Sequence, residues 1–418
     1  MTLDIELPAG WHRPRVSDIA ARRANATVGG PFGSDLVAKD YVDSGVPVIR
    51  GQNMGQRYVG GEFAFVSPAK AKALQANLTR PSDLVFTQRG TLGQVALVPS
   101  GPYEEYLISQ SQMKLTLDCG AAAPGYVHQY FASALGQKQI LDSAIQTGVP
   151  HTNLGILRNY AVPMPRQVEE QEAIAAALTD ADALIDSLEQ LLTKKRQIKQ
   201  GAMQELLTGK RRLPGFGGQW RRCALSEVAE FLKGSGLSKS SLLQDGSIPC
   251  IHYGQLFTEY GPVIVDVRNY TDQKEFGIAS QAGDVLMPTS DVTPKGLAKA
   301  SCILRSGVAL GGDILVIRPD ASLIFGPFLS NLIRSQPGRV LELVTGSTVF
   351  HLYGRDMARY QLNLPSVKEQ AAIAQVLSDM DAQVTALESR LTKARALKQG
   401  MAQALLTGRI RLVDVRAA

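Results

Sequence analysis

Cysteine is scarce: Cys119, Cys223, Cys250 and Cys302 lie far apart and never in CxxC spacing, so neither a disulfide framework nor a zinc knuckle is supported. The five histidines, His12, His128, His151, His252 and His351, form no HExxH and no His/Cys cluster, and no metal site is expected. No run of about 18 apolar residues occurs. The opening stretch MTLDIELPAGWHRPR lacks the basic and apolar regions of a secretory signal. A cytoplasmic protein is the expectation. The phosphate-binding GxxxxGK[ST] loop is missing as well, since Thr208-Gly209-Lys210 runs into Arg211 and the first glycine is absent. His351 and Arg355 are one residue too far apart for a recombinase-type HxxR, and no methyl-donor loop accompanies an Asn/Asp-Pro-Pro-aromatic tetrapeptide. A chain without catalytic site, metal or cofactor of its own is the expectation.

What is present points to folded domains. Apolar residues make up 44% and charged residues 20%, enough to bury sizeable cores, and 418 residues exceed what one core usually serves. The net charge of +6 has the sign of a surface that meets phosphates, a sign shared by many proteins that never do.

Self-comparison is more informative. Residues 170–213 (EQEAIAAALTDADALIDSLEQLLTKKRQIKQGAMQELLTGKRRL) align without gaps to residues 369–412 (EQAAIAQVLSDMDAQVTALESRLTKARALKQGMAQALLTGRIRL) at a constant offset of 199. Roughly 25 of about 44 positions are identical, far above chance for a gapless match. The duplication continues more faintly outside this block. Trp11 with Val16-Ser17-Asp18-Ile19-Ala20 matches Trp220 with Leu225-Ser226-Glu227-Val228-Ala229, Val46-Pro47-Val48-Ile49 resembles Ile248-Pro249-Cys250-Ile251, and Thr147-Gly148 with His151 roughly matches Thr345-Gly346 with His351. The chain therefore reads as a head and a helical tail, given twice.

In the tails, Ile174, Leu178, Ile185, Leu188 and Leu192, and again Ile373, Leu377, Val384, Leu387 and Leu391, follow the 4-3 spacing of a coiled-coil seam. Pro165 and Pro365 precede each run and Gly209 and Gly408 follow it, in keeping with helix start and stop signals. Each helix should span about 38 residues, or about 57 Å. The nearest partner for either seam is the other copy, and self-complementary copies related by a two-fold axis pair antiparallel. The alternative is that each helix packs only on its own head. The heads, by contrast, diverge. Short β-type runs between Gly, Pro, Asn and Ser, such as VPVIRGQNMG and DILVIRP, predict mixed α and β structure.

Candidate nucleic-acid contacts sit on loops after strands, where Arg can pair with guanine and Asn or Gln with adenine. In the first head they are Arg50, Gln52, Asn53 and Arg57, then Thr87, Gln88 and Arg89, then Gln110. In the second, His252, Tyr253 and Gln255 take the place of the first loop, and Thr289, Ser290, Asp291 and Lys295 that of the second. For any one of them, a turn side chain satisfied by water or backbone is the plainer reading.

An EQ dipeptide opening an amphipathic helix after a Pro-containing strand end (YAVPMPRQVEEQEAI, YQLNLPSVKEQAAI) and a closing KQGxxxxLLTG, given twice behind two unlike heads, resembles the specificity subunit of Type I restriction-modification enzymes over essentially the whole chain. The resemblance implies an α+β architecture: two mixed α/β target recognition domains (residues 1–165 and 210–365) separated by two long antiparallel coiled-coil helices (166–209 and 366–418) in a pseudo-two-fold repeat. It implies that each head reads one half of a split double-stranded DNA target. It further implies docking of two modification (methyltransferase) subunits and of restriction (motor and nuclease) subunits, which would bind S-adenosylmethionine, ATP and Mg. A coiled-coil scaffold whose heads bind proteins rather than DNA is the other reading.

Overall fold

The structure, a computed structural model, describes residues 6–146 and 149–412; Thr147 and Gly148 lie outside the described residues. Contacts divide the chain into two compact units, Met1–Glu189 with Arg390–Ala418, and Gln190–Ser389. A linear division into head, helix, head, helix differs from this, because each unit combines one head with stretches of both long helices.

In the first unit, a four-stranded antiparallel sheet runs in the spatial order Thr27–Gly29, Gln112–Leu115, Leu84–Thr87, Val95–Leu97. A five-stranded mixed sheet follows the order Tyr41–Val42, Ala64–Val66, Val46–Ile49, Tyr106–Ile108, Leu78–Thr79. The strand LVFT shows why its whole length is apolar. Side chains alternate across a strand, so Leu84 and Phe86 pack toward Tyr126, Val127, Tyr130 and Phe131 of helix Pro124–Ala132, while Val85 joins Ile49, Tyr106 and Ile108 in the second cluster.

The second unit repeats the plan. A five-stranded sheet takes the order Ala229–Lys233, Ile314–Pro319, Val285–Pro288, Ser301–Ile303, Val263–Ile264, and a three-stranded one Asn269–Thr271, Ile248–Ile251, Ala309–Leu310. Val285 and Met287 join the cluster of Phe328, Leu329, Leu332 and Ile333 from helix Gly326–Ser335, while Leu286 joins Ile251, Leu310 and Ile314. Each head is closed at its base by a short strand pair, Trp11–His12 with Met164–Pro165 and Arg221–Ala224 with Gln361–Leu364.

The long helices are Val168–Leu206 and Val367–Leu405, each of 39 residues. Each is followed by a glycine at φ +73°, Gly209 and Gly408, in the left-handed conformation that suits a helix C-cap. The space above each is taken by a tryptophan: an added Cβ would lie 3.2 Å from the Trp220 ring at Gly209 and 3.1 Å from the Trp11 ring at Gly408.

The EQ dipeptide has a structural role in both copies. Gln171, fully buried, donates to the Pro165 and Ala121 carbonyls at 2.8 and 3.2 Å and accepts from Ala123 N at 2.8 Å. Gln370, equally buried, donates to Pro365 and Leu323 at 2.9 and 3.1 Å and accepts from Phe325 N at 2.8 Å. The buried carboxylate of Glu369 receives Arg212 bidentately at 2.5 and 2.6 Å, and that of Glu170 receives Arg411 in the same way. These bonds to carboxylate hold both guanidinium pKa values above their usual range.

Further ion pairs set the direction of the helical segments within each unit. In the first, Glu189 meets Arg395 at 2.6 Å and Asp182 meets Lys398. In the second, Arg196 meets Glu388 at 2.6 Å and Lys199 meets Asp381. Numbers rise on one segment as they fall on the other, so the two run antiparallel in each unit.

The seam is not uniform along its length. Ile174 and Leu178 belong to the core of the first head, beside Leu405 and Leu406, and Ile373 and Leu377 belong to that of the second, beside Met203, Leu206 and Leu207. The reason is that the start of each helix packs on its own head: an added Cβ on Gly125 would lie 3.2 Å from Ala175, and Gln129 donates to Asp182 at 2.9 Å. Farther along, Leu188, Leu192, Leu387 and Leu391 are buried and Ile185 and Val384 half-buried. Packing on the head therefore governs the helix starts.

Candidate nucleic-acid interface

In the first head the strand Val46–Ile49 runs into a 3₁₀ turn, Gly51–Asn53. Asn53, 1% exposed, accepts from Arg50 N at 3.1 Å and donates to the Gly60 and Glu62 carbonyls at 3.0 and 2.9 Å. Its amide is used within the loop, which it ties down. Gln52 stays exposed with one weak bond to the Glu62 carbonyl at 3.3 Å, and Arg50 is half-buried. The Arg57 guanidinium, half-buried, lies 5.0 Å from the ring centre of the exposed Tyr58. Thr87 is enclosed and donates to Gln94 at 3.1 Å; Gln88 is half-buried, and Arg89 and Gln110 face solvent.

The second head repeats this division. Gln255, 5% exposed, accepts from His252 N at 2.9 Å and donates to Glu259 and Asn269 at 3.0 and 2.5 Å. It supports the loop that carries the half-buried His252 and Tyr253, whose rings lie 4.6 Å apart. Burial, with the Lys239 charge second, holds the His252 pKa below its usual value. Thr289 is enclosed and donates to Asp313 at 3.3 Å, Ser290 and Asp291 are half-buried, and Lys295 is exposed. Four expected contacts, Asn53, Thr87, Gln255 and Thr289, are thus enclosed instead of presented, because the loops need internal hydrogen bonds to hold their shape.

Both heads join the second loop to a histidine-bearing segment that sequence reasoning did not count among the contacts. Ser290–Asp291 pairs with Phe350–His351, and Leu352 N donates to the Thr289 carbonyl at 2.9 Å. In the first head Arg89 bridges to His151, and Thr152 N donates to the Gln88 carbonyl at 3.0 Å. Phe32 in the loop GGPFGS is 82% exposed. The faint repeat of His151 and His351 was the available signal for the first pair; nothing in the residue order marked Phe32.

The family model described as "Type I restriction modification DNA specificity domain" matches residues 38–200 and again 218–395. The chain belongs to this Type I DNA specificity family. It is similar to the Type I restriction enzyme MjaVIII specificity subunit of Methanocaldococcus jannaschii, 22% identical over 81% of both chains, and to the putative type I restriction enzyme MjaX specificity subunit of the same organism, 21% identical over 97% of this chain and 95% of the relative. The fold is shared with the Type-I restriction-modification system S subunit from M. genitalium, at a TM-score of 0.62 and 15% identity over 97% of this chain and 98% of the other. A further structure, from work on complex assembly and conformational transition of the type I R-M system, aligns at 0.53 and 17% identity over 97% and 100%. As a Type I specificity subunit the chain is a DNA-binding component of a restriction-modification system. The two family matches fall one on each head and its following helix. Among the described residues, no helix is long and apolar enough to cross a membrane.

Proposed function

We propose that the two heads each read one half of a split double-stranded DNA target and that the long helices pair as an antiparallel coiled coil with pseudo-two-fold symmetry, fixing the unread gap between the halves. The observation that carries this reading is the reciprocity of the ion pairs. Arg212 with Glu369, Lys199 with Asp381 and Arg196 with Glu388 become Arg411 with Glu170, Lys398 with Asp182 and Arg395 with Glu189 when 199 is added to the first partner and subtracted from the second. Such an exchange is what a two-fold relation between duplicated units produces. Half-sites read from one face of the duplex lie about 34 Å apart or a multiple of it, a distance that stiff helices can enforce.

On this reading the chain does no chemistry itself. Two modification subunits would dock on it and supply S-adenosylmethionine-dependent methylation, and restriction subunits would bring the ATP- and Mg-dependent motor and nuclease. The exposed Arg89, Gln52, Gln110 and Lys295, with Arg50, Arg57, Gln88, His252, Tyr253, Ser290 and Asp291, remain the proposed DNA contacts; Asn53, Thr87, Gln255 and Thr289 act by holding their loops.

The test is to produce the chain with its modification subunit in a host and map N6-methyladenine across the genome. One motif in two fixed parts with a constant gap is expected; a continuous motif would overturn the reading. Four residues inserted within 204–209 add about one helical turn, or about 6 Å, and should lengthen the gap while both halves stay the same. An unaltered gap would overturn the ruler. Heads that bind protein instead would show little dependence on salt, whereas phosphate contacts should weaken binding by on the order of a thousandfold between 50 and 200 mM.

A further inference from the structure

In the second head, four chain segments distant in sequence converge on a pocket of about 220 Å³. Lys233 comes from the end of one strand, Thr289 from just beyond another, Asp313 from just before a third, and His351 and Tyr353 from the segment docked on the second loop. Leu315 and Leu352, both buried, add an apolar lining. Resting on the reading of this head as a base-reading module, we propose that the pocket takes the edge of one base pair, with Asp313 accepting a hydrogen bond from an exocyclic amino group.

Asp313 is held for such a role. Its backbone lies in the left-handed region at φ +59°, and its carbonyl accepts from Thr289 N at 2.9 Å. A non-glycine residue in that region is strained, and such strain collects at ligand-contacting positions. The Thr289 hydroxyl bonds one carboxylate oxygen at 3.3 Å, and among the described residues no cation pairs with Asp313. An ionised carboxylate only accepts hydrogen bonds. In the major groove it therefore fits the amino groups of adenine N6 and cytosine N4, and is repelled by the acceptor atoms of guanine and thymine.

The pocket mouth suits DNA. Tyr353, 42% exposed, stacks on His351 at 16° and 5.9 Å, and the exposed Arg355 guanidinium lies 5.0 Å from its ring centre. Lys233 is also exposed. Together they offer a flat ring and two cations beside the carboxylate, a base edge's neighbour and its phosphates. The first head has Gln88 and Arg89 where the second has Thr289 and Ser290, so it presents a cation and an amide and suits guanine acceptors.

The experiment selects duplexes from a randomised DNA library with the chain in complex with its modification subunit. The parent complex should enrich two fixed blocks across a constant gap; if it enriches none, the split-target reading fails, and this inference with it. Asp313→Asn should lose or exchange the preference at one position of one block, an adenine or a cytosine, with the other block and the gap unchanged. Affinity for the parent duplex should fall roughly ten- to a hundredfold. Tyr353→Ala, at an exposed position, should weaken the same block. Retention of every position at parent affinity by both variants overturns the pocket, as does an equal loss in both blocks by Tyr353→Ala.

Discussion

At the base of the first head Gln171 satisfies two carbonyls and one N–H, and at the base of the second Gln370 satisfies the equivalent three groups to within about 0.1 Å. At the outer loops the correspondence ends: Arg50, Gln52, Arg57 and Arg89 on one side stand against His252, Tyr253, Asp291 and Asp313 on the other. The difference follows from what each region touches. Every unit is closed by residues of both copies, Glu170 by Arg411 and Glu369 by Arg212, so a change in one copy must be met by the other. The outer loops bond within their own head and can diverge freely.

Three measurements sharpen or break this comparison. The largest effect is expected from Gln171→Leu and Gln370→Leu, each of which strands three buried backbone groups at a cost of about 3 kcal/mol or more. Denaturant titration should give losses equal within about 1 kcal/mol; clearly unequal losses would end the equivalence of the two bases.

Acid should separate the units. Burial, with the Arg57 charge second, lowers the His128 pKa to about 4, whereas the unfolded chain takes its proton near the ordinary value of 6.5. The contribution of neutral His128 to the first head is therefore complete above pH 6.5 and is lost progressively as the pH falls from there toward 4. The loss amounts to about 3 kcal/mol, from 1.36 kcal/mol for each pH unit of the shift. In the second head the residue five places after the N–H bonded by the glutamine is Ser330, buried and without a titrating group in this range. Thermal unfolding followed by a probe in each head should show the larger acid loss in the first, the lowered His252 pKa giving the second a loss of the same sign, and His128→Asn should shrink the difference. An undiminished acid loss in that variant would show that His128 is not the cause.

The smallest effect compares the two caps. Alanine at Gly209 or Gly408 costs about 1 kcal/mol for the left-handed backbone. At Gly408 the new methyl also meets Pro8 at 2.5 Å, while at Gly209 nothing comes closer than 3.2 Å. Gly408→Ala should therefore lower Tm more; equal shifts would show that Pro8 yields without cost.

Much of the scaffold was legible in the sequence. The duplicated block carried the helices and their ends, since Pro165, Gly209, Pro365 and Gly408 act through local backbone geometry that the residue alone dictates. The seam spacing marked buried positions but could not separate Ile174 and Leu178, which a head covers, from Leu188 and Leu192, because periodicity records that a face is apolar and not what lies on it. The residue order locates the loops but not the part that Asn53 and Gln255 play in them, since an amide that holds a turn and one that reads a base are the same residue in one dimension. Lys233, Asp313 and Tyr353 come together only through strand pairing across more than a hundred residues, and no local pattern records that.

Arg411 also donates to the Ala9 carbonyl at 3.0 Å, and its counterpart Arg212 donates to the carbonyls of Gly217 and Gly218 at 2.9 and 2.8 Å. In the second case the peptide runs unbroken from the arginine to the glycines; in the first the same junction is made without a covalent link. A cut opened between 213 and 219 would therefore leave the contacts of Arg212 with Gly217 and Gly218 resting on hydrogen bonds alone, as those of Arg411 with Ala9 already do.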